Sequence, residues 1–141
     1  MDTKLLEELT TLIDNWDADP NKTKECFTGL KDHLEGLDGV NLDFVARPGI
    51  TYSLRAAHAK QTKRSLFAMV DVIDDDPADR WLSVCFYKEL VSDPDELGDE
   101  VPGGLLGEDA CCFDVDAKDD ALMAYIKDRL SEACEAASKE A

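Results

Sequence analysis

Five cysteines and two histidines are the residues of this 141-residue chain with nucleophilic or metal-binding chemistry: Cys26, Cys85, Cys111, Cys112, Cys134, His33 and His58. Cysteine catalysis needs a thiol beside a base. On the strand parities set out below, His58 shares a face with Tyr52 and Leu54 while Cys85 points the other way, so no Cys–His pair is expected. The cysteines form no CxxC and match no zinc spacing, their number is odd, and adjacent Cys111 and Cys112 must point to opposite faces of a strand. They read mostly as buried or half-buried free thiols of a reducing cytosol. His33 lies beside an apolar helical stripe with no partner at ligand spacing and reads as a surface or half-buried side chain.

The acidic loops invite a calcium reading, but an EF-hand needs a glycine at position six and a glutamate at twelve. Loops begun at Asp74, Asp93 or Asp114 fail this test, the second despite Gly98, because its position twelve is Gly104. The run Asp74, Asp75, Asp76 and Asp79 reads as a solvated hairpin tip, where charge deters edge aggregation. The segment PGGLLGE from Pro102 has glycines but no Lys-Ser/Thr pair, so it is a tight reversal rather than a phosphate loop. No catalytic residue, metal ligand or cofactor is assigned. The chain reads as a binding domain rather than an enzyme.

Charge narrows the partners. The formal net charge is −17. Nucleic acid and anionic membrane both draw affinity from Lys and Arg, so neither is expected as a partner. The charge is uneven: residues 1–39 carry 4 basic and 10 acidic side chains, residues 40–64 carry 5 and 1, and residues 65–141 carry 6 and 21. The basic island, Arg47, Arg55, Lys60, Lys63 and Arg64, either pairs with acidic neighbours across strands or offers a small anion-binding surface. The N-terminal MDTKLLEELT lacks the basic region of a signal peptide, and no apolar run is long enough to span a bilayer. A cytoplasmic protein is expected.

The elements that position these residues follow from periodicity. Leu5, Leu6, Leu9, Leu12, Ile13 and Trp16 recur at three- and four-residue steps and predict a helix over 3–17. Asp19-Pro20 reads as an N-cap and first helical residue, starting a second helix over 20–36 that closes a helical hairpin. Alternating runs predict strands at 42–47 and 50–58, divided by Pro48-Gly49. SLFAMVDVI and WLSVCFYK predict a long hairpin, strands 65–73 and 81–88, with its first strand interior because it is apolar at nearly every position except Asp71. Residues 89–108 show no period and read as a long loop whose Val101, Leu105 and Leu106 pack back on the domain. A fifth strand over 109–115 leads to Asp116, the expected cap of a long helix over 119–138, whose tail EAASKEA is expected to fray. The whole is a single α+β domain, 1–141: an N-terminal helical hairpin, a five-stranded, mainly antiparallel meander, and a long C-terminal helix, with the helices mostly on one face.

This parity divides the strand Trp81–Lys88 between two environments. Leu82, Val84 and Phe86 belong under the helices. Trp81, Ser83, Cys85 and Tyr87 face the side that the helices leave open, near Arg47 and Arg55. Aromatic and arginine side chains in one patch are what interfaces enrich. Trp81, Cys85, Tyr87, Arg47 and Arg55 are therefore the candidate surface for a protein partner or a second copy forming a homodimer. The alternative is a small anionic ligand, bound or turned over between the sheet and the 89–108 loop.

Overall fold

A computed structural model describes residues 2–140. Helix α1 spans Thr3–Asn15, with Asp2 Oδ1 accepting from the Leu5 amide at 3.0 Å. Helix α2 spans Thr23–Glu35. It starts three residues later than Asp19-Pro20 predicts, because the chain makes a turn through Lys22, which adopts φ 64°. Asp19 still caps, but by accepting from the Lys24 amide across that turn. Strands β1 (Val40–Arg47), β2 (Thr51–His58), β3 (Ala68–Ile73) and β4 (Trp81–Tyr87) follow as a meander.

The chain then departs from the five-strand expectation. Within 89–108 lies a sixth strand, β5 (Asp99–Leu105), paired with β6 (Glu108–Val115). The sheet order is β1-β2-β3-β4-β6-β5, so the meander ends at β4 and the last hairpin inserts β6 beside it, leaving β5 at the edge. Its sequence, DEVPGGL, explains why no strand period was visible: an edge strand tolerates proline, glycine and charge because one side of its backbone needs no partner. Helix α3 spans Asp120–Ser138, capped by Asp119, not Asp116, through the Leu122 amide.

The even-numbered residues of β1–β4 and the odd-numbered residues of β6 face the helices. Phe44, Leu54, Val70, Val84, Phe86 and Phe113 form the core with Leu12, Phe27, Leu30, Ile126 and Leu130. Trp16 packs on Phe27 at 6.1 Å and Phe86 meets Phe113 edge-on at 6.0 Å. His33, half-buried, bridges α2 to α3 through Ser131 Oγ at 2.9 Å. His58 sits against Gly39, where a Cβ would come within 2.5 Å of the imidazole ring, and its Nδ1 accepts from the Lys60 amide. No helix among the described residues is long and apolar enough to cross a membrane.

Two arginines, Arg64 buried and Arg80 half-buried, clamp the ends of this layer. Arg80 pairs with buried Asp74 at 2.6 Å and lies over the Trp16 and Tyr52 rings. Asp74 also accepts from the Gly49 amide at 2.8 Å, so the first acid of the hairpin tip holds the neighbouring turn and is not solvated. Arg64, 3% exposed, reaches Glu89, Glu108 and Glu140 at 2.5, 3.1 and 2.7 Å and stacks over Tyr87. The expected frayed tail is therefore tied down: Ala137 is fully buried, and Glu140 also receives Gln61.

Candidate functional site

The face opposite the helices carries no helix among the described residues, while the β5–β6 turn reaches over one end of it beside Asp43, Arg55 and Ala57; its geometry follows from strand register. One row across the sheet reads Arg47, Thr51, Ile73, Trp81; the next Val45, Ser53, Asp71, Ser83, Asp114; the third Asp43, Arg55, Met69, Cys85, Cys112, Asp99. Four of the residues singled out from sequence, Arg47, Arg55, Trp81 and Cys85, share this face. Tyr87 has the same parity but is buried beneath the Arg64 guanidinium, whose centre lies 4.8 Å above its ring. Val45, Met69, Ile73, Trp81 and Cys85 are only half-buried; the last four lie on β3 and β4, on either side of the Asp71–Ser83 row, and Val45 lies on the edge strand β1.

Cys85 and Cys112 stand directly opposite each other on β4 and β6, Cα atoms 4.2 Å apart, joined as a disulfide. The expectation of free thiols thus fails for this pair and holds for Cys26, Cys111 and Cys134, all buried. Parity already sends Cys85 and Cys112 to the open face; what sequence lacks is that β6 rather than another strand neighbours β4. Burial pushes the three remaining thiols above their ordinary range, with nearby carboxylates adding to the effect. They are therefore poor nucleophiles at neutral pH.

At the centre of the face, Asp71 lies between Ser53 and Ser83, and its Oδ1 is buried without a hydrogen-bond partner. Burial pushes its carboxyl above the usual range, against the pull of Ser53, Arg55 and Arg47. The folded chain therefore holds this proton to higher pH than the unfolded chain, and the contribution to stability is lost as pH rises through the folded value. Asp71→Asn should accordingly gain on the wild type in urea unfolding as pH is raised from below the carboxylate range to neutrality. A difference independent of pH would contradict the burial argument.

The basic island divides. Arg64 and Lys63 pair with acids as register arguments allow, whereas Arg47 and Arg55 come within ion-pair distance of no carboxylate among the described residues. Arg55 instead donates to Ser53 Oγ at 3.2 Å. At the far side, burial and the neighbouring Asp116 and Asp99 push the Asp114 carboxyl up. The hairpin-tip acids are engaged as turn acceptors: Asp76 takes the Ala78 amide and Asp79 the Asn21 side chain.

The segment 91–98 lies against α3, not at the rim of the face. Ser92 binds Glu132 twice, Tyr125 donates to Asp93, and Asp93 accepts the Leu97 and Gly98 amides. The rim is built instead by the β5–β6 turn. There Leu105 packs inward as expected, but Val101 and Leu106 do not, and Leu106 is 62% exposed. Leu106 and Gly107 have φ of 49° and 87°, the pattern of a two-residue type I′ turn that favours Asn-Gly. Leu106 shares a cleft of about 210 Å³ with Arg55, Ala57, Asn41 and Asp43. Leu106→Asn should stabilise the isolated chain by about 1 kcal/mol, since a left-handed leucine is strained; loss of stability in thermal unfolding would count against that turn.

Three residues of the site were missed: Asp71, Cys112 and Leu106. Asp71 carried a signal, being the one acid in an otherwise apolar strand; Leu106 carried none, because its turn lies in a segment without period. Comparison of the chain with protein-family models, with curated proteins and with solved structures finds no match.

Proposed function

We propose that this chain is a non-catalytic interaction module that binds a protein partner on its open sheet face. The supporting observation is the half-buried apolar set of Met69, Ile73 and Trp81 on β3 and β4, with Val45 on β1, flanked by Arg47 and Arg55, which lie within ion-pair distance of no carboxylate among the described residues. Monomeric proteins seldom leave such a strip to water, and interfaces concentrate aromatic and arginine side chains. The strained, exposed Leu106 at its rim fits the same reading. A small anionic ligand is a weaker fit: the cleft beside Arg55 is about 210 Å³, below the roughly 300–1,000 Å³ common for ligand sites, and the larger cleft of about 500 Å³ beside Arg64 and Tyr87 is lined by Glu89, Glu108 and Asp109. A cytoplasmic setting belongs to this proposal too; there the Cys85–Cys112 pair would spend much of its time as thiols.

A photoreactive residue placed at Trp81, with a control at exposed Leu6 on α1, tests the proposal in the cells that make the protein. Discrete adducts from position 81 and none from position 6 are expected. The same pattern at both positions, or no adduct at 81, would remove the open face as a binding surface.

A further inference from the structure

On the helix side of the sheet, α1 and the β1–β2 hairpin border a cleft of about 600 Å³, larger than those beside Arg55 and Arg64. Leu12, Ala46, Pro48 and Tyr52 give it an apolar wall, and Arg80 lines it with a side chain only 10% exposed. That side chain is held firmly. Its Nε donates to Asp74 at 2.6 Å, and its guanidinium carbon lies 5.4 Å from the Trp16 ring and 5.9 Å from the Tyr52 ring. Asp74 spends its other oxygen on the Gly49 amide, so it engages Arg80 through Nε alone. Both Nη groups are left without a hydrogen-bond partner among the described residues. A fixed guanidinium with its outer edge free offers a carboxylate two parallel donors.

The surrounding charges narrow the ligand further. Glu8, half-buried on α1, lines the same cleft and has no cation within ion-pair distance among the described residues. Arg80 and Glu8 thus share one space without pairing across it. A simple anion gains little there, because Asp74 already balances Arg80, exposed Lys4 and Glu7 offset each other, and the chain carries −17. An ammonium group on the same molecule cancels that repulsion and gives Glu8 its missing partner.

We propose that this cleft binds a small zwitterion of the amino-acid type, a free amino acid or short peptide with an apolar side chain. Its carboxylate lies on the Arg80 Nη groups, its ammonium faces Glu8, and its side chain rests on the apolar wall. The site is on the opposite side of the sheet from the proposed protein-binding face and does not depend on it.

Nitrogen-15 NMR of the full chain, titrated with L-leucine and with L-leucyl-L-leucine, tests this. At least one probe should shift the Arg80 Nε–H and Trp16 indole N–H signals saturably, with a dissociation constant below about 1 mM. The tighter of the two tells free amino acid from peptide. The same probe with its carboxylate converted to an amide should bind at least about 10-fold more weakly, and with its amine acetylated at least about 5-fold more weakly. Glu8→Gln should weaken the zwitterion by about 5-fold and leave the acetylated probe unchanged, because the two changes remove one contact. Arg80→Lys keeps a charge for Asp74 without the fork and should weaken both probes by about 10-fold. Glu8 lies outside the core, so its variant decides the matter even if Arg80→Lys does not fold. No saturable shift with either probe, shifts that spare Arg80 and Trp16, or an acetylated probe that binds as tightly as the zwitterion would each overturn the proposal.

Discussion

Arg64→Met lowers the unfolding free energy by about 3 kcal/mol, the usual effect of stripping one partner from a buried charge cluster. The guanidinium is 3% exposed and joins three segments distant in sequence: the 3-10 turn at Lys88–Leu90 through Glu89, the start of β6 through Glu108, and the end of α3 through Glu140. Only Glu140, 8% exposed, is buried with it, so that pair dominates, while Glu89 and Glu108 are half or more exposed and largely screened. Removing Arg64 leaves the Glu140 carboxylate without its cation and uncovers Tyr87. Arg64→Lys should recover less than half of the loss, because an ammonium cannot hold three carboxylates as the planar fork does. Acid gives an independent reading. Hydrogen bonding to Arg64, with help from Lys63, holds the Glu89 carboxyl below its ordinary range, so its contribution is present above the unfolded value and lost as pH falls through the folded one. Denaturant unfolding at neutral pH measures the effect; a loss under about 1 kcal/mol would show the cluster to be a surface network with little stake in the fold.

Reduction of the Cys85–Cys112 bond should cost about 3–4 kcal/mol, from the entropy that a cross-link spanning 27 residues removes from the unfolded chain. The double variant Cys85→Ser, Cys112→Ser should behave as the reduced protein does and no longer respond to reductant. Thiol titration gives the matching count. Unfolded without reductant, the chain should show three reactive thiols, Cys26, Cys111 and Cys134; after reduction it should show five. Before unfolding, reaction should be slow, because all three free thiols are buried and their pKa values raised. Five thiols in unreduced protein, or stability unaltered by reductant, would contradict the cross-link.

Much of the fold was legible because its periods are clean. The stripe from Leu5 to Trp16 and the alternation of Leu82, Val84 and Phe86 against Trp81, Ser83 and Cys85 each admit one buried face, and the structure buries it in Leu9, Leu12, Trp16, Leu82, Val84 and Phe86, while Leu6, expected in the stripe, is 53% exposed. The departures have local causes. Strand β5 hides in DEVPGGL because an edge strand is selected for what it leaves unpaired. The tail after Ser138 looked free because its anchor, Arg64, lies 76 residues away from Glu140. The candidate site was legible by parity, which sent Arg47, Arg55, Trp81 and Cys85 to one side. Tyr87 was lost from it, and Cys112 gained, through tertiary facts that no local pattern carries: an arginine arriving from another loop, and the insertion of β6 beside β4.

The most direct test of the open face is hydroxyl-radical footprinting of the chain in native extract, set against the purified chain at high dilution. Met69 and Trp81 should be protected in the extract and oxidised on dilution, while Leu6, Ile50 and Leu97, exposed elsewhere on the surface, should react equally in both. Equal oxidation of Met69 and Trp81 in the two samples would mean that nothing binds the face, and the interaction-module reading would be wrong.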